Sequence, residues 1–479
     1  MIFTSSYESV GTVPNDLTLA EFVCSNPFRV PIQRVIIAEG EGDRRITFGE
    51  FVDEIKAVSS GIQHVLPARP AVSSLPSIIA VVSSNTLEYA GLVLGIIGSG
   101  NIPALVNPTS TIPEICHAFK LVAPEGLAAV FVSDECRESV LDGIKLCKYQ
   151  IAPKLFSLDT APLKTYKPLP LAKLTGPADK TLAALYYSSG TTGLVIHLSP
   201  CTFGGTILTR FAQPKGTMLS HRNIIANILQ ISAATEQFRD PLTKMISFLP
   251  MYHICQSISS LSAANPDIKI DGSIMAMLVA PITGTFVVHL AKFDLPLFLS
   301  SIQKHRVTNA PIVPPVAVAL AKHPLIESYN LSSLKVITIA AAPTKIDLVR
   351  QLRKRLNVQV VQGYGMTEAS PGTHALEPKD ELRDGSVGRL YPDMECKLVD
   401  DDGKMVGVDE EGEICLRGPN IFMGYIRNAT ATATTLLNGW LHTGDVGRVT
   451  KDGYYWIVDR KKELIKVRLY VHLFAIVIL

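Results

Sequence analysis

Ser188-Ser189-Gly190-Thr191-Thr192-Gly193-Leu194 and, after 19 intervening residues, Pro214-Lys215-Gly216 decide how this chain reads. Removing 195–213 leaves one continuous string, SSGTTGLPKG. It follows the apolar run Leu182–Tyr187, which reads as a buried strand. Small hydroxyl and glycine residues directly after such a strand let backbone N–H groups and Ser/Thr hydroxyls converge on phosphate oxygens. The chain holds no GxxxxGK[ST] string, which disfavours a Walker-type NTPase.

The rest of the composition narrows the class. At 479 residues the chain predicts roughly three domains or subdomains. Hydrophobic residues at 47% and charged residues at 18% suit a globular protein with a large core. A net charge of +2 gives no electrostatic case for nucleic acid or an anionic membrane surface, so an anionic ligand needs a local site. The eight cysteines, at 24, 116, 136, 147, 201, 255, 396 and 415, form no CxxC pair, and their spacing predicts neither a zinc site nor a disulfide framework. A reducing, cytoplasmic compartment is expected. The N-terminus has no signal-peptide pattern. The longest uncharged apolar stretch, Ile274 to Leu290, is interrupted by Pro281 and Gly284 and reads as helix, turn and strand rather than a membrane span.

From residue 77 onward, short β-branched runs alternate with helical patterns, the signature of parallel sheets covered by helices. Strands are predicted at Ser77–Ser83, Leu127–Val132, Leu182–Tyr187, Met245–Leu249, Thr285–Leu290, Leu334–Ala340 and Val358–Val361. Helices are predicted at Asp134–Lys148, His221–Ile231, Leu295–His305 and Ile346–Leu356, with Asn85 and Glu88 as a capping box before another. After Asp384, frequent turns (DDDGK, DEEGE, NGW, KDGYY) predict a small β-barrel. The expected fold class is α/β: two doubly wound α/β subdomains plus a small β-barrel-like subdomain.

Further motifs fall at strand ends, where open α/β sheets bind ligands. Gln362-Gly363-Tyr364-Gly365-Met366-Thr367-Glu368 follows the strand VQVV. Leu441-His442-Thr443-Gly444-Asp445 offers a carboxylate in a predicted turn, suited to accepting both hydroxyls of a ribose, and Asp459-Arg460 comes after it. Ala340-Ala341-Ala342-Pro343 and Pro250-Met251-Tyr252-His253 each close an apolar run.

Together and in this order, over residues 15 to 466, these motifs resemble the AMP-forming adenylating superfamily. LPMYHI, QGYGMTEAS and DRKKELIK are most similar to its 4-coumarate:CoA ligase and fungal aryl or acyl-CoA ligase branch. The resemblance implies a two-step reaction. A small-molecule carboxylic acid and ATP give acyl-AMP and pyrophosphate with Mg²⁺, and CoA then displaces AMP to give a thioester. It assigns the phosphate loop to Ser188, Ser189, Gly190, Thr191, Thr192, Gly193 and Lys215. Ala341, Gly363, Tyr364 and Gly365 fall on the adenine side, with Tyr364 packing on the base. Thr367 contacts the α-phosphate, Glu368 holds Mg²⁺, and His253 gates the carboxylate site. Asp445 and Arg460 bind the ribose side, and Lys466 lies near CoA. An aromatic, 4-coumarate-like acid is favoured over a fatty acid. Two alternatives stand beside this: an adenylation enzyme that loads a carrier protein, and a non-catalytic nucleotide-binding isoform.

The expected organisation is an adenylation domain at 15–458, with atypical insertions at 195–213 and 255–271, a hinge remnant at 459–466 and a foreign tail at 467–479. The family's C-terminal α+β domain, with its adenylation lysine, is expected to be missing, which predicts impaired activity. Val-Ile-Leu at the end is no peroxisomal address, though a longer form could carry one. All three irregular segments are compatible with retained introns: Val195 and Val467-Arg468 can be encoded by donor-like GT-starting codons, and Gln213 by CAG. Excising 48 bases between Cys255 and Asp271 would rebuild a Tyr codon. Transcripts are predicted to lack these segments, and sequenced cDNA containing all three would refute the reading.

Overall fold

The structure, a computed structural model, describes residues 1–66, 77–188, 194–200, 206–212, 214–235, 238–252, 278–339, 344–380 and 383–460, with 194–200 and 206–212 as backbone only. Among these residues, two large sheets carry the fold.

The first sheet has seven strands, in the order Gly424–Tyr425, Lys215–Ser220, Leu182–Ser188, Ile102–Val106, Ile78–Val82, Ala129–Val132 and Lys154–Ser157. The strands from Leu182–Ser188 to Lys154–Ser157 run parallel, and the inner four, from Leu182–Ser188 to Ala129–Val132, are buried throughout as apolar strands covered on both faces are. Helix Tyr89–Gly98 is buried along its whole length. It lies against helix Phe48–Val65 because Gly95 carries no side chain; a Cβ there would sit 2.5 Å from Val58 Cγ1. The predicted Asn85–Glu88 capping box does not form. The helix begins at Tyr89 with Glu88 at its cap and no side-chain capping bond, and Asn85 is used elsewhere.

The second sheet joins a parallel centre to an antiparallel wing. Its parallel strands are Gln359–Gly365, Val336–Ile339, Asn309–Ile312, Lys244–Ser247, Phe286–His289 and Val35–Glu39. From Gln359–Gly365 it continues antiparallel through Gly372–Ala375, Gly388–Leu390, Tyr454–Arg460, Trp440–Val449, Gly412–Arg417 and Glu395–Val399. The expected barrel-like part is therefore continuous with the second doubly wound sheet. The N-terminal strand Ile2–Thr4 closes its edge on Glu395–Val399, an element the sequence reading did not foresee. Asp459 and Arg460 end a strand of this wing. Among the described residues, no helix is long and apolar enough to cross a membrane.

The segment predicted as the first insertion folds back on itself. Leu194–Pro200 pairs antiparallel with Thr206–Ala212, from Leu194↔Ala212 to Pro200↔Thr206, as a separate two-stranded sheet. On either side of it, Leu182–Ser188 and Lys215–Ser220 pair directly, with Ser188 opposite Lys215 and Tyr187 opposite Gly216. The two halves of the split motif are thus brought together by strand register. Residues 255–271 and 467–479 lie outside the described residues. A chain lacking 195–213 is expected to fold with its thermal midpoint unchanged or raised, since among the described residues the hairpin makes no ladder with either large sheet. A deletion variant that purifies only as aggregate, or melts well below the parent in a thermal scan, would show that the hairpin supports the fold.

Candidate functional site

The site is built where the first sheet's antiparallel edge meets the loop after Gln359–Gly365. Helix His221–Ala234 follows Lys215–Ser220 directly and starts at a reciprocal cap: Asn223 N–H donates to Ser220 Oγ at 3.1 Å, and Ser220 N–H to Asn223 Oδ1 at 3.0 Å. Asn223, Asn227 and Gln230 lie at helical spacing on one face, all buried. Asn227 Nδ2 donates to Gly372 O at 2.8 Å and its Oδ1 accepts from Gly372 N at 3.1 Å. Asn223 Nδ2 donates to Pro419 O and Ile421 O at 2.9 and 2.8 Å. Asn420, held beside them, donates to Ala369 O at 2.7 Å. Buried amides whose donors and acceptors are satisfied this way fix a loop more firmly than apolar packing does. The loop they fix carries Thr367 and Glu368. Sequence reasoning missed all four amides; the polar side chains at one helical stripe were the available signal.

At the strand end before that loop, Gly365 admits no other residue, because a Cβ would lie 2.1 Å from Pro371 O. Thr367 and Glu368 are buried in a short 3₁₀ turn, Thr367–Ala369. Glu368 Oε1 accepts a 2.6 Å hydrogen bond from Tyr425 Oη. Tyr425 also packs under Lys215, whose Nζ lies 4.7 Å from the ring centroid. Its phenol is pushed far up, first by burial and then by the Glu368 carboxylate, with the Thr435 and Ser188 hydroxyls acting the other way. Tyr425 thus connects both loop halves, at Ser188 and Lys215, to Glu368. It reaches them because Gly424–Tyr425 pairs with Thr217 and Met218. The sequence reading did not single it out.

A second cluster centres on Asp445. Its Oδ1 accepts from Arg460 Nε at 2.7 Å and its Oδ2 from Tyr364 Oη at 2.6 Å, while Asp445 itself is only 3% exposed. Burial, and then the Asp445 charge, hold the Tyr364 phenol well above its ordinary value. The carboxylate sits not in a turn, as expected, but in the strand Trp440–Val449. Glu413 pairs with Val446 and Cys415 with His442, so Ile414 alone faces Thr443, Gly444 and Asp445. This bulge, with Gly444 at φ 75°, turns Asp445 towards Tyr364.

Asn85 anchors a third segment. Its Nδ2 donates to Leu249 O at 2.9 Å and its Oδ1 accepts from Met251 N at 2.8 Å, fixing the chain that leads into Tyr252. Of the predicted site residues, the structure gathers Ser188, Lys215 and Glu368 around Tyr425, and Tyr364, Arg460 and Asp445 around one carboxylate. Gly363 and Gly365 lie in the strand leading to Thr367. Ser189, Gly190, Thr191, Thr192, Gly193, His253, Ala341 and Lys466 lie outside the described residues.

With this geometry described, comparison with known proteins places the chain. A profile of the family described as "AMP-binding enzyme" matches residues 27–195 and 266–426. The chain belongs to that family, whose fold and ordered motifs it carries. It is 30% identical over 497 residues to the Probable 4-coumarate–CoA ligase 1 of Dictyostelium discoideum, covering 97% of this chain and 80% of that protein. It is 31% identical over 485 residues to 4-coumarate–CoA ligase-like 1 of Arabidopsis thaliana, covering 98% and 80%. Its fold superposes on the N-terminal domain of FACL13 from Mycobacterium tuberculosis with a TM-score of 0.72, at 19% identity, over 92% of this chain and all of that one. The Dictyostelium and Arabidopsis relatives are CoA ligases or ligase-like proteins by name.

Burial lowers the imidazole of His374, between Tyr364 and Tyr455, to about 3, and those of His289 and His221 to about 4. Their folded values lie below the unfolded value of about 6.5. Their stabilisation is therefore fully present above that pH and is lost as pH falls towards the folded values, since only the unfolded chain takes up protons there. Each contributes a slope of about 1.4 kcal/mol per pH unit in that window. The thermal midpoint should fall as pH drops from about 6.5 towards about 4, with a shallower slope in His374→Gln. Identical slopes in parent and variant would remove His374 from this account.

Proposed function

We propose that the chain is an AMP-forming acyl or aryl-CoA ligase whose adenylation site is the region around Tyr425, Glu368 and Asp445, and that an aromatic, 4-coumarate-like acid is its substrate. The observation that carries this is the bridge formed by Tyr425 between the split loop and Glu368. It brings a lysine ammonium, a serine hydroxyl and a buried carboxylate to one place, although the three lie in separate parts of the sequence.

In this reading ATP lies along the carboxyl ends of the strands. Lys215 and Ser188, with the Ser189–Gly193 segment, bind the β- and γ-phosphates, and Thr367 holds the α-phosphate. Glu368 suits a hard divalent ion such as Mg²⁺, because it offers oxygen donors alone and Tyr425 fixes the orientation of its carboxylate. Bound there, Mg²⁺ would neutralise charge on the phosphates. Asp445 retains acceptor capacity beyond Arg460 and Tyr364, since a carboxylate has about four lone-pair sites, and can take the ribose hydroxyls. Tyr364 would flank the adenine. The substrate carboxylate oxygen attacks the α-phosphorus, the bond to the pyrophosphate oxygen breaks, and CoA sulfur then displaces AMP from the acyl carbon. Positioning and charge neutralisation supply most of the first step. His253, Ala341 and Lys466 keep the roles implied by resemblance, and the cytoplasm is the proposed compartment.

We further propose that the hairpin at 195–213 weakens this chemistry. Strand register holds Ser188 opposite Lys215. The donors between them must still converge within about 0.5 Å of a productive geometry, and a long excursion replaces the short turn that would set them. Calorimetry with AMP should show weak binding to the 479-residue chain, weakened about tenfold more by Asp445→Asn, in line with about 1.4 kcal/mol for a charged hydrogen bond. Binding indifferent to Asp445→Asn would remove the ribose assignment. Rapid carboxylate-dependent pyrophosphate release by the same chain would contradict the impairment.

A further inference from the structure

Glu413, Cys415 and His442 form a cluster outside the nucleotide side of the site, and they are the described residues whose side chains group as metal ligands do. Glu413 and Cys415 are two apart on the strand Gly412–Arg417, so their side chains leave the same face. His442 is the direct cross-strand partner of Cys415 on Trp440–Val449. Cysteine spacing gave no sign of a metal site, because two ligands come from one strand and the third lies 27 residues away on its neighbour.

The distances suit a small cation. His442 Nδ1 lies 3.4 Å from Cys415 Sγ and 3.3 Å from Glu413 Oε2. Ligand bonds of about 2.3 Å to sulfur and about 2.0–2.1 Å to nitrogen and oxygen, at tetrahedral angles, separate sulfur from nitrogen by about 3.6 Å and nitrogen from oxygen by about 3.3 Å. All three ligand atoms lie within 4.8 Å of one another. The second carboxylate oxygen, Glu413 Oε1, accepts from Gly444 N at 3.0 Å, which orients the ligand oxygen as outer-shell partners of metal sites do. Cys415 is fully buried, whereas the His442 and Glu413 side chains are 21% and 13% exposed. A cation would enter from their side and keep a water there as fourth ligand. Lys397, the partner of Cys415 on the opposite strand, directs its ammonium over the Trp440 ring, 4.8 Å from the centroid.

We propose that Glu413, Cys415 and His442 bind one divalent transition-metal ion of the zinc class, distinct from any Mg²⁺ at Glu368. One thiolate, one imidazole and one carboxylate favour zinc, cobalt or nickel over the oxygen-seeking ions. Binding displaces the Cys415 proton to solvent and leaves the thiolate as ligand. The ion then ties the two strands together behind the bulge that carries Asp445.

The test is a Co²⁺ titration of the chelator-treated full chain, read by absorption, alongside parent, Cys415→Ser, His442→Ala, Glu413→Gln and Cys116→Ser. One equivalent should produce visible bands of tetrahedral cobalt and a thiolate charge-transfer band, competed by Zn²⁺ but not Mg²⁺. These bands should vanish in Cys415→Ser, weaken in His442→Ala and Glu413→Gln, and persist in Cys116→Ser. Zinc should also raise the thermal midpoint of the parent and not of Cys415→Ser, with circular dichroism confirming that each variant is folded. Absence of saturable cobalt bands in the parent would overturn the proposal and leave the cluster as hydrogen bonds alone. Bands that survive Cys415→Ser, or are lost in Cys116→Ser, would overturn it by placing the metal elsewhere.

Discussion

Where Lys215–Ser220 pairs antiparallel with Leu182–Ser188, the register sets Ser188 against Lys215, and the rest of the site is arranged from that pair. Lys215 reaches over Tyr425, whose hydroxyl holds Glu368, and the strand continues without a break into the helix bearing Asn223, Asn227 and Gln230. Of these, Asn227 holds Gly372 directly, and Asn223 holds the Pro419–Ile421 segment whose Asn420 binds Ala369 O, so the helix fixes the backbone after Thr367 and Glu368. Losing the register by one residue would turn Lys215 to the other face of the sheet and misplace the helix that follows. An excursion between the two strands can therefore lengthen without displacing its own ends. The structure shows that outcome among the described residues, where Leu194–Pro200 and Thr206–Ala212 pair with one another as a separate sheet.

The sequence was most readable where one local pattern determines the outcome. Helices Leu295–His305 and Ile346–Leu356 have the predicted bounds, since each combines an amphipathic stripe with a stop residue in the left-handed region, Arg306 and Asn357. Val336–Ile339 and Phe286–His289 fell within their predicted strands because each is a short apolar, β-branched run. Asn85 misled because Asn followed three residues later by Glu looks like a cap. Its side chain is instead committed to Leu249 and Met251, more than 160 residues away. Tyr425 and Asn420 were illegible on similar grounds: their importance lies in long-range hydrogen bonds that leave no periodic trace. The cluster at Cys415 is another case, because a cross-strand contact depends on a register that spacing does not encode.

Asp445 shows how a site can hold charge ready for a ligand. A buried carboxylate is costly unless paired, and Arg460 with Tyr364 offsets that cost. Both partners sit on the second sheet's wing, Tyr364 at the end of its parallel strand and Arg460 at the end of Tyr454–Arg460, which pairs with the strand of Asp445. The carboxylate is thus oriented by the protein's own groups alone.

Thr443–Asp445 is the element where these requirements meet. On one side the bulge turns Asp445 towards Tyr364 and Arg460; on the other, Gly444 N–H is held by Glu413, and Thr443 Oγ1 donates to Ile414 O at 2.8 Å. A bulge leaves backbone groups without ladder partners, and a fixed acceptor is what prevents such a segment from relaxing back into regular pairing. Glu413 supplies that acceptor. Its other carboxylate oxygen faces His442, so whatever holds the imidazole also bears on the bulge. Even a shift of well under an ångström at Glu413 would pass through Gly444 to the Asp445 carboxylate, because the two residues are adjacent and the strand on either side is pinned by its register.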